Sequence, residues 1–121
     1  MKALSTTVVI HVSDMSRAVK YYTEILGFKP DFEFGDYTGL TYDDVCIHLS
    51  GQKNQGVHKA PGNAHFCIEC DKVDAYYDRI KKRGAIISCP IDDRIYGMRD
   101  FAIDDEDGNT LVFGMVITTQ Q

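Results

Sequence analysis

Apolar and polar positions along this chain form a pattern that runs once and then starts again. Residues 6 to 12, "TTVVIHV", have the dense β-branched content of a strand. Ser13 or Asp14 then offers an N-cap. From Met15, apolar residues recur at Ala18, Val19, Tyr22, Ile25 and Leu26, the stripe of an amphipathic helix. Gly27 follows the last of them, where a left-handed C-cap is expected. "KPDFEF" alternates and begins an extended segment. Gly35-Asp36 marks a turn, "YTGLTY" a strand, Asp43-Asp44 another turn, and "VCIHLS" a further strand.

Residues 51 to 63, "GQKNQGVHKAPGN", have almost no apolar content and read as a linker or long loop. After them the same order returns. "AHFCIEC" reads as a strand and Asp71 as a cap. Val73, Tyr76, Tyr77 and Ile80 make a helical stripe that ends at Gly84. "AIIS" is short and extended, "PIDDRIYG" a loop, "MRDFAID" a strand, "DEDGN" a turn and "TLVFGMVI" the last strand. The tail, Thr118 to Gln121, is expected to fray.

Both halves thus read strand, helix, three strands, and the repeat sets the expected fold. The class is α+β: two βαβββ modules, about residues 5–50 and 64–117, within a single domain spanning 1–121. Each half has one helix to cover one face of a sheet. A curved mixed sheet around a cleft, with the helices on the outer face, would shelter the faces left bare.

Composition narrows the function classes. A net charge of −5 and an isoelectric point near 5.2 lack the basic stripe a nucleic-acid surface needs. No apolar run is long enough to span a membrane, and the N-terminus lacks a small-residue cleavage pattern. The expectation is a cytoplasmic protein in which Cys46, Cys67, Cys70 and Cys89 are free thiols.

Two stretches carry a resemblance. "VSDMSRAVKYYTEILGF" is similar to the opening, and "YGMRDFAIDDEDGNTLVFG" to the ending, of glyoxalase, bleomycin-resistance and extradiol-dioxygenase proteins, the vicinal-oxygen-chelate superfamily. The ending resembles most the bleomycin-resistance-like branch, from which it departs at Tyr96, Asp100 and Glu106. The likeness runs from about residue 5 to residue 117. It implies paired βαβββ modules and, commonly, a homodimer.

Strand parity selects the side chains that face the cleft. In "AHFCIEC", Phe66 and Ile68 belong against the helix, so His65, Cys67 and Glu69 face the cleft. Cys70 is turned away, and the C-x-x-C pair reads as two buried small hydrophobes rather than a chelate. The same rule puts Thr7, Val9 and His11, then Cys46, His48 and Ser50, on the cleft side. Met98, Asp100 and Ala102 join them, as do Thr110, Val112 and Gly114. Metal-dependent members of the superfamily place one ligand on each of four strands, and the resemblance maps these onto Thr7, His48, His65 and Val112. Valine has no donor atom, and threonine is a poor ligand for first-row divalent ions. His48 and His65 fall short of the three protein ligands a catalytic site normally needs. Cys67 and Glu69, the potential third ligands, are displaced along the strand of His65.

The candidate ligand-binding residues are therefore His48, His65, Cys67, Glu69, Tyr96, Met98, Asp100 and His11. Asp100 is read either as a free carboxylate drawing a cation or as paired with Arg99 or Arg94. Phe32, Phe34, Tyr37, Tyr42 and Tyr96 supply aromatic area for packing or for stacking on a flat ligand. His58 is expected in solvent. The leading expectation is a protein that binds a small organic molecule in the cleft without a cofactor, as in antibiotic sequestration or metabolite carriage. The alternative is a metal-dependent lyase, isomerase or dioxygenase using His48 and His65 with a divalent ion. A third is an accessory module whose cleft is filled by its own side chains.

Overall fold

The first four strands and first helix are repeated, in the same order and pairing, by the next four strands and second helix. In the computed structural model, which describes residues 1–117, β1 is Val8–His11, α1 Met15–Lys20, β2 Lys29–Glu33, β3 Tyr37–Tyr42 and β4 Val45–Ser50. The second module holds β5 His65–Glu69, α2 Val73–Lys82, β6 Ile86–Asp93, β7 Met98–Asp104 and β8 Thr110–Val116. The expectation for Thr118–Gln121 lies outside the described residues. Each module makes its own four-stranded mixed sheet, in the orders β1-β4-β3-β2 and β5-β8-β7-β6. Within each, the first and last strands run parallel and the other pairs antiparallel.

Parity behaves as the sequence predicts. Ile10, Val12, Ile47, Leu49, Phe101, Ile103, Leu111 and Phe113 are buried on the helix side, with Val73, Tyr76, Tyr77 and Ile80 of α2. Those α2 positions are spaced i, i+3, i+4, i+7, so one stripe faces the sheet. The buried side chains of both modules form one apolar cluster.

The Asp14 carboxylate caps α1 by accepting from the Arg17 amide at 3.1 Å. Gly27 and Gly84 leave the helical segments at φ +91° and +102°, values costly for any residue with a Cβ. Between Lys20 and Leu26 the helix widens to a π-type turn, Tyr21–Ile25, where the Leu26 amide bonds the Tyr21 carbonyl at 3.1 Å. Tyr21 and Tyr22 then both reach the second module. Tyr21 Oη donates to the Asp104 carbonyl at 2.6 Å, and Tyr22 Oη to Asp105 Oδ2 at 2.8 Å.

Several local expectations need correction. The first strand spans four residues rather than Thr6–Val12. The residue that caps α2 is Lys72, not Asp71; it sits at φ 48° and its side chain makes no capping bond. Residues 90–93, expected in a loop, belong to β6. Pro90 cannot donate to a ladder, yet β6 lies at the sheet edge and its register shifts between Cys89 and Asp92, where a missing N–H is tolerated. Cys67 is exposed rather than buried; Cys70 alone of the pair packs against the core. The thiols of Cys46, Cys67, Cys70 and Cys89 are free.

Thr38, on the core side of β3, is 4% exposed and its hydroxyl has no hydrogen-bond partner. Thr38→Val keeps the shape and removes an unsatisfied polar atom. The expected gain is about 1 kcal/mol, read as a rise in denaturant midpoint with unchanged m-value.

Candidate functional site

Each sheet has one face against the helices and one face without such cover. On the first sheet the open face carries Thr7, Val9 and Cys46, all exposed, with half-buried His11 and His48. The β3–β4 hairpin turns at Asp43-Asp44, so register counts outward from it: Tyr42 opposes Val45, and Gly39 opposes His48. Tyr37 thereby becomes a diagonal neighbour of His48, and its hydroxyl meets His48 Nδ1 at 2.9 Å. Phe32, from β2, presents its ring at 84° to His48 with centroids 5.0 Å apart. Gly39 is what allows this, since a Cβ there would overlap the Phe32 ring. Phe34 extends the aromatic row and is 76% exposed. Phe32, Tyr37 and His48 thus form a fixed aromatic platform.

The segment read as a linker or long loop walls this face. A cavity of about 900 Å³ is bounded by Val9, His11, Phe34, Tyr37 and the segment Lys53–Val57 with Lys59. A second, of about 560 Å³, lies between His11, His58, Lys59 and Asn109. His65 lines neither. His11 has its pKa lowered, first by burial and then by the charges of Lys59 and His58, which favours the neutral imidazole. His58 is exposed, as expected, with Nε2 against the Asn54 carbonyl.

On the second sheet the open face carries His65, Cys67 and Glu69, all exposed on β5. Beside them lies a polar cluster at the signature loop. Asp100 is 8% exposed; it accepts from Arg94 Nε at 2.7 Å through Oδ1 and from Tyr96 Oη at 2.7 Å through Oδ2. Arg94 also donates to the carbonyls of Pro90 and Asp100. Burial would raise the Asp100 carboxyl, but the bonds from Arg94 and Tyr96 outweigh it and hold the pKa below the usual value. Asp100 is therefore a paired carboxylate, and its partner is Arg94. Arg99 points to the other side, where it bonds Asp74 of α2 and Asp93. Tyr96 stays exposed, with its hydroxyl on Asp100. Met98 stands next to Gly114, where a Cβ would come within 3.2 Å of its Cε.

The structure therefore brings His48 together with aromatic partners on one sheet, and Asp100, Tyr96 and Met98 together on the other. It leaves His65 and Cys67 exposed on β5, and Glu69 at the end of that strand borders a different cavity. Among the described residues, no three His, Cys, Asp or Glu side chains converge as a metal ion would require. Thr7 and Val112, the positions matching the other two ligands, supply no adequate donors. Of the four matching positions, only His48 and His65 carry strong donors.

The repeat, the two sheets of identical order and the paired open faces point one way, and a family model described as the glyoxalase/bleomycin resistance protein/dioxygenase superfamily matches residues 5–113. The chain belongs to this superfamily. Within the superfamily, a bleomycin resistance protein of Geobacillus stearothermophilus is 25% identical over 117 residues, covering 84% of this chain and 89% of that protein. Among solved structures, a superfamily member from Nocardioides superposes with a TM-score of 0.81 at 16% identity, covering 100% of this chain and 88% of the other. A bleomycin-binding protein from Streptomyces verticillus, complexed with copper(II)-bleomycin, superposes at 0.76 with 24% identity over 98% of this chain and 99% of that one. These two likenesses establish the fold.

Arg94 and Tyr37 are the partners that sequence reasoning had not fixed. Hairpin register counted from Asp43-Asp44 was the available signal for Tyr37. For Arg94 there was none beyond its being one of two nearby arginines.

Proposed function

We propose that this protein binds a small organic molecule without a metal cofactor, in a cleft that two copies of the chain form together. The open face of the first sheet in one copy and the open face of the second sheet in its partner make the two walls. The carrying observation is the half-buried Phe32–Tyr37–His48 cluster, two near-parallel rings with the imidazole edge-on to both and hydrogen-bonded to Tyr37, with a neighbouring exposed Phe34. Such a surface suits a planar or heteroaromatic ligand, stacked on rings and hydrogen-bonded by imidazole. The opposite wall would add His65, Cys67 and Tyr96. Exposed apolar Val9, Phe34, Tyr96 and Val116 support pairing, since open apolar surface of this kind favours cover. Similarity to bleomycin resistance proteins makes a glycopeptide antibiotic of the bleomycin type the first ligand to try.

The test is calorimetric titration with metal-free and copper-loaded bleomycin, alongside sedimentation analysis of the free protein. Saturable binding with a stoichiometry of one ligand per chain, on a dimer, is the expected result. Gly39→Ala and Phe32→Ala should each weaken binding about tenfold, because both disturb the ring beside His48. A monomer that binds equally well, or binding untouched by both changes, overturns the reading.

A further inference from the structure

A third cavity lies between the modules and meets the open face of the second sheet only at Glu69. It has a volume of about 360 Å³ and is walled by Phe28, Tyr42, Tyr76 and Phe113. Phe28–Tyr42 and Tyr42–Tyr76 meet edge to face at 5.5 Å and 5.7 Å between centroids, and Tyr76–Phe113 at a tilt at 5.0 Å. The size falls within the range of small-molecule pockets. Its polar boundary is unbalanced: Asp43, Asp44, Glu69 and Asp71 supply four carboxylates against the two cations Lys72 and Arg79.

Arg79 already shows what this wall accepts. Its guanidinium carbon stands 5.4 Å from the Tyr76 ring centroid, and it donates to Tyr42 Oη at 3.1 Å. An aromatic face beside carboxylates draws cations through the ring quadrupole and through charge.

Asp43 adds a second argument. It holds φ 50° at the first central position of the two-residue β3–β4 turn, where glycine is the unstrained choice. An aspartate there is less at ease than a glycine would be, and it places a carboxylate at the cavity mouth.

We infer that this inter-module cavity is a second binding site, for a small organic cation that carries an aromatic or aliphatic body on a protonated amine. The body packs against Phe28, Tyr76 and Phe113, and the ammonium group faces Asp43 and Asp44. The site is independent of the cleft between copies.

Amide chemical shifts of the full chain, titrated with 2-phenylethylammonium and separately with neutral 2-phenylethanol, test this. Saturable shifts are expected at Val45, Cys70 and Ala75, with the cation bound at least fivefold tighter than the alcohol. Asp43→Gly should weaken the cation about threefold while raising the thermal midpoint, because it removes charge and strain together. Asp43→Asn with Asp44→Asn should weaken it about tenfold. Equal binding of alcohol and cation, shifts confined to the cleft positions Gly39, Cys67 and Gly114, or unchanged affinity in Asp43→Gly each overturn the inference. The cleft reading survives any of these, since its probe and its residues are different.

Discussion

Asp105→Ala is expected to destabilise the fold by about 3–5 kcal/mol, the range for stripping one side from a buried charged network. Asp105 is 4% exposed and both of its oxygens are used. Oδ1 accepts from the amides of Asp107 and Asn109, each at 2.9 Å. Oδ2 accepts from Tyr22 Oη and from Asn109 Nδ2, each at 2.8 Å. Alanine leaves four donors without that acceptor in a place water barely reaches. Burial, and then the adjacent Asp105 charge, push the Tyr22 phenol far above its ordinary pKa, so it remains a donor at any working pH. The damage should extend beyond the turn. Asn109 also donates to the His11 carbonyl at 3.1 Å and accepts from the Ala64 amide at 3.0 Å, joining β1 to the start of β5. Asp105→Asn should recover part of the loss only, since its amide nitrogen would face donors. Tyr22→Phe, which removes one donor and leaves the rest, should cost about 1 kcal/mol. Urea denaturation of the three variants gives this ranking; an Asp105→Ala midpoint within error of the parent would refute it.

That network shows where the sequence was silent. "DEDGN" reads correctly as a turn, with Gly108 at φ 96°. What composition cannot show is that its first carboxylate points inward to clamp the two modules. Strands and helices were legible because apolar period and sheet parity are local: Ile10, Ile47, Leu49 and Ile103 could be assigned to the core from alternation alone. The helix widening at Tyr21 and Tyr22 was not, because the pattern reads as a helical stripe whether the turn is α or π. Of the site, His48 was placed on the right face, and its partners follow once the Asp43-Asp44 turn fixes register. His65 was placed on the right strand face as well, but parity within a strand says nothing about how two separate sheets are set against each other. The wall formed by Lys53–Val57 was invisible for a simpler reason. A polar, glycine-rich segment has no period from which a direction can be read.

Asp100→Ala should cost about 1–2 kcal/mol and release the Tyr96 side of the second sheet. The Asp100 and Arg94 side chains are 11% and 22% exposed, so solvent screens their 2.7 Å contact in part. Removing the carboxylate strands a guanidinium close to β7 and frees Tyr96, whose hydroxyl has no other recorded partner among the described residues. Asp100→Asn separates charge from shape, since it keeps the side chain's volume and one acceptor. The sign of the pH effect follows from proton binding. In the unfolded chain Asp100 titrates near ~3.9. In the folded protein its pKa lies lower, because the bonds from Arg94 and Tyr96 outweigh burial. Its stabilising share is therefore complete above the unfolded value and fades as pH falls through the folded one. The stability gap between the parent and Asp100→Asn should be constant from pH 5 to 7 and shrink progressively below about pH 4. Tyr96→Phe should shrink the acid-side effect without abolishing it, because Arg94 remains. A gap that widens on acidification would mean that Asp100 is protonated more readily in the fold than in the unfolded chain, contrary to the Arg94 pairing.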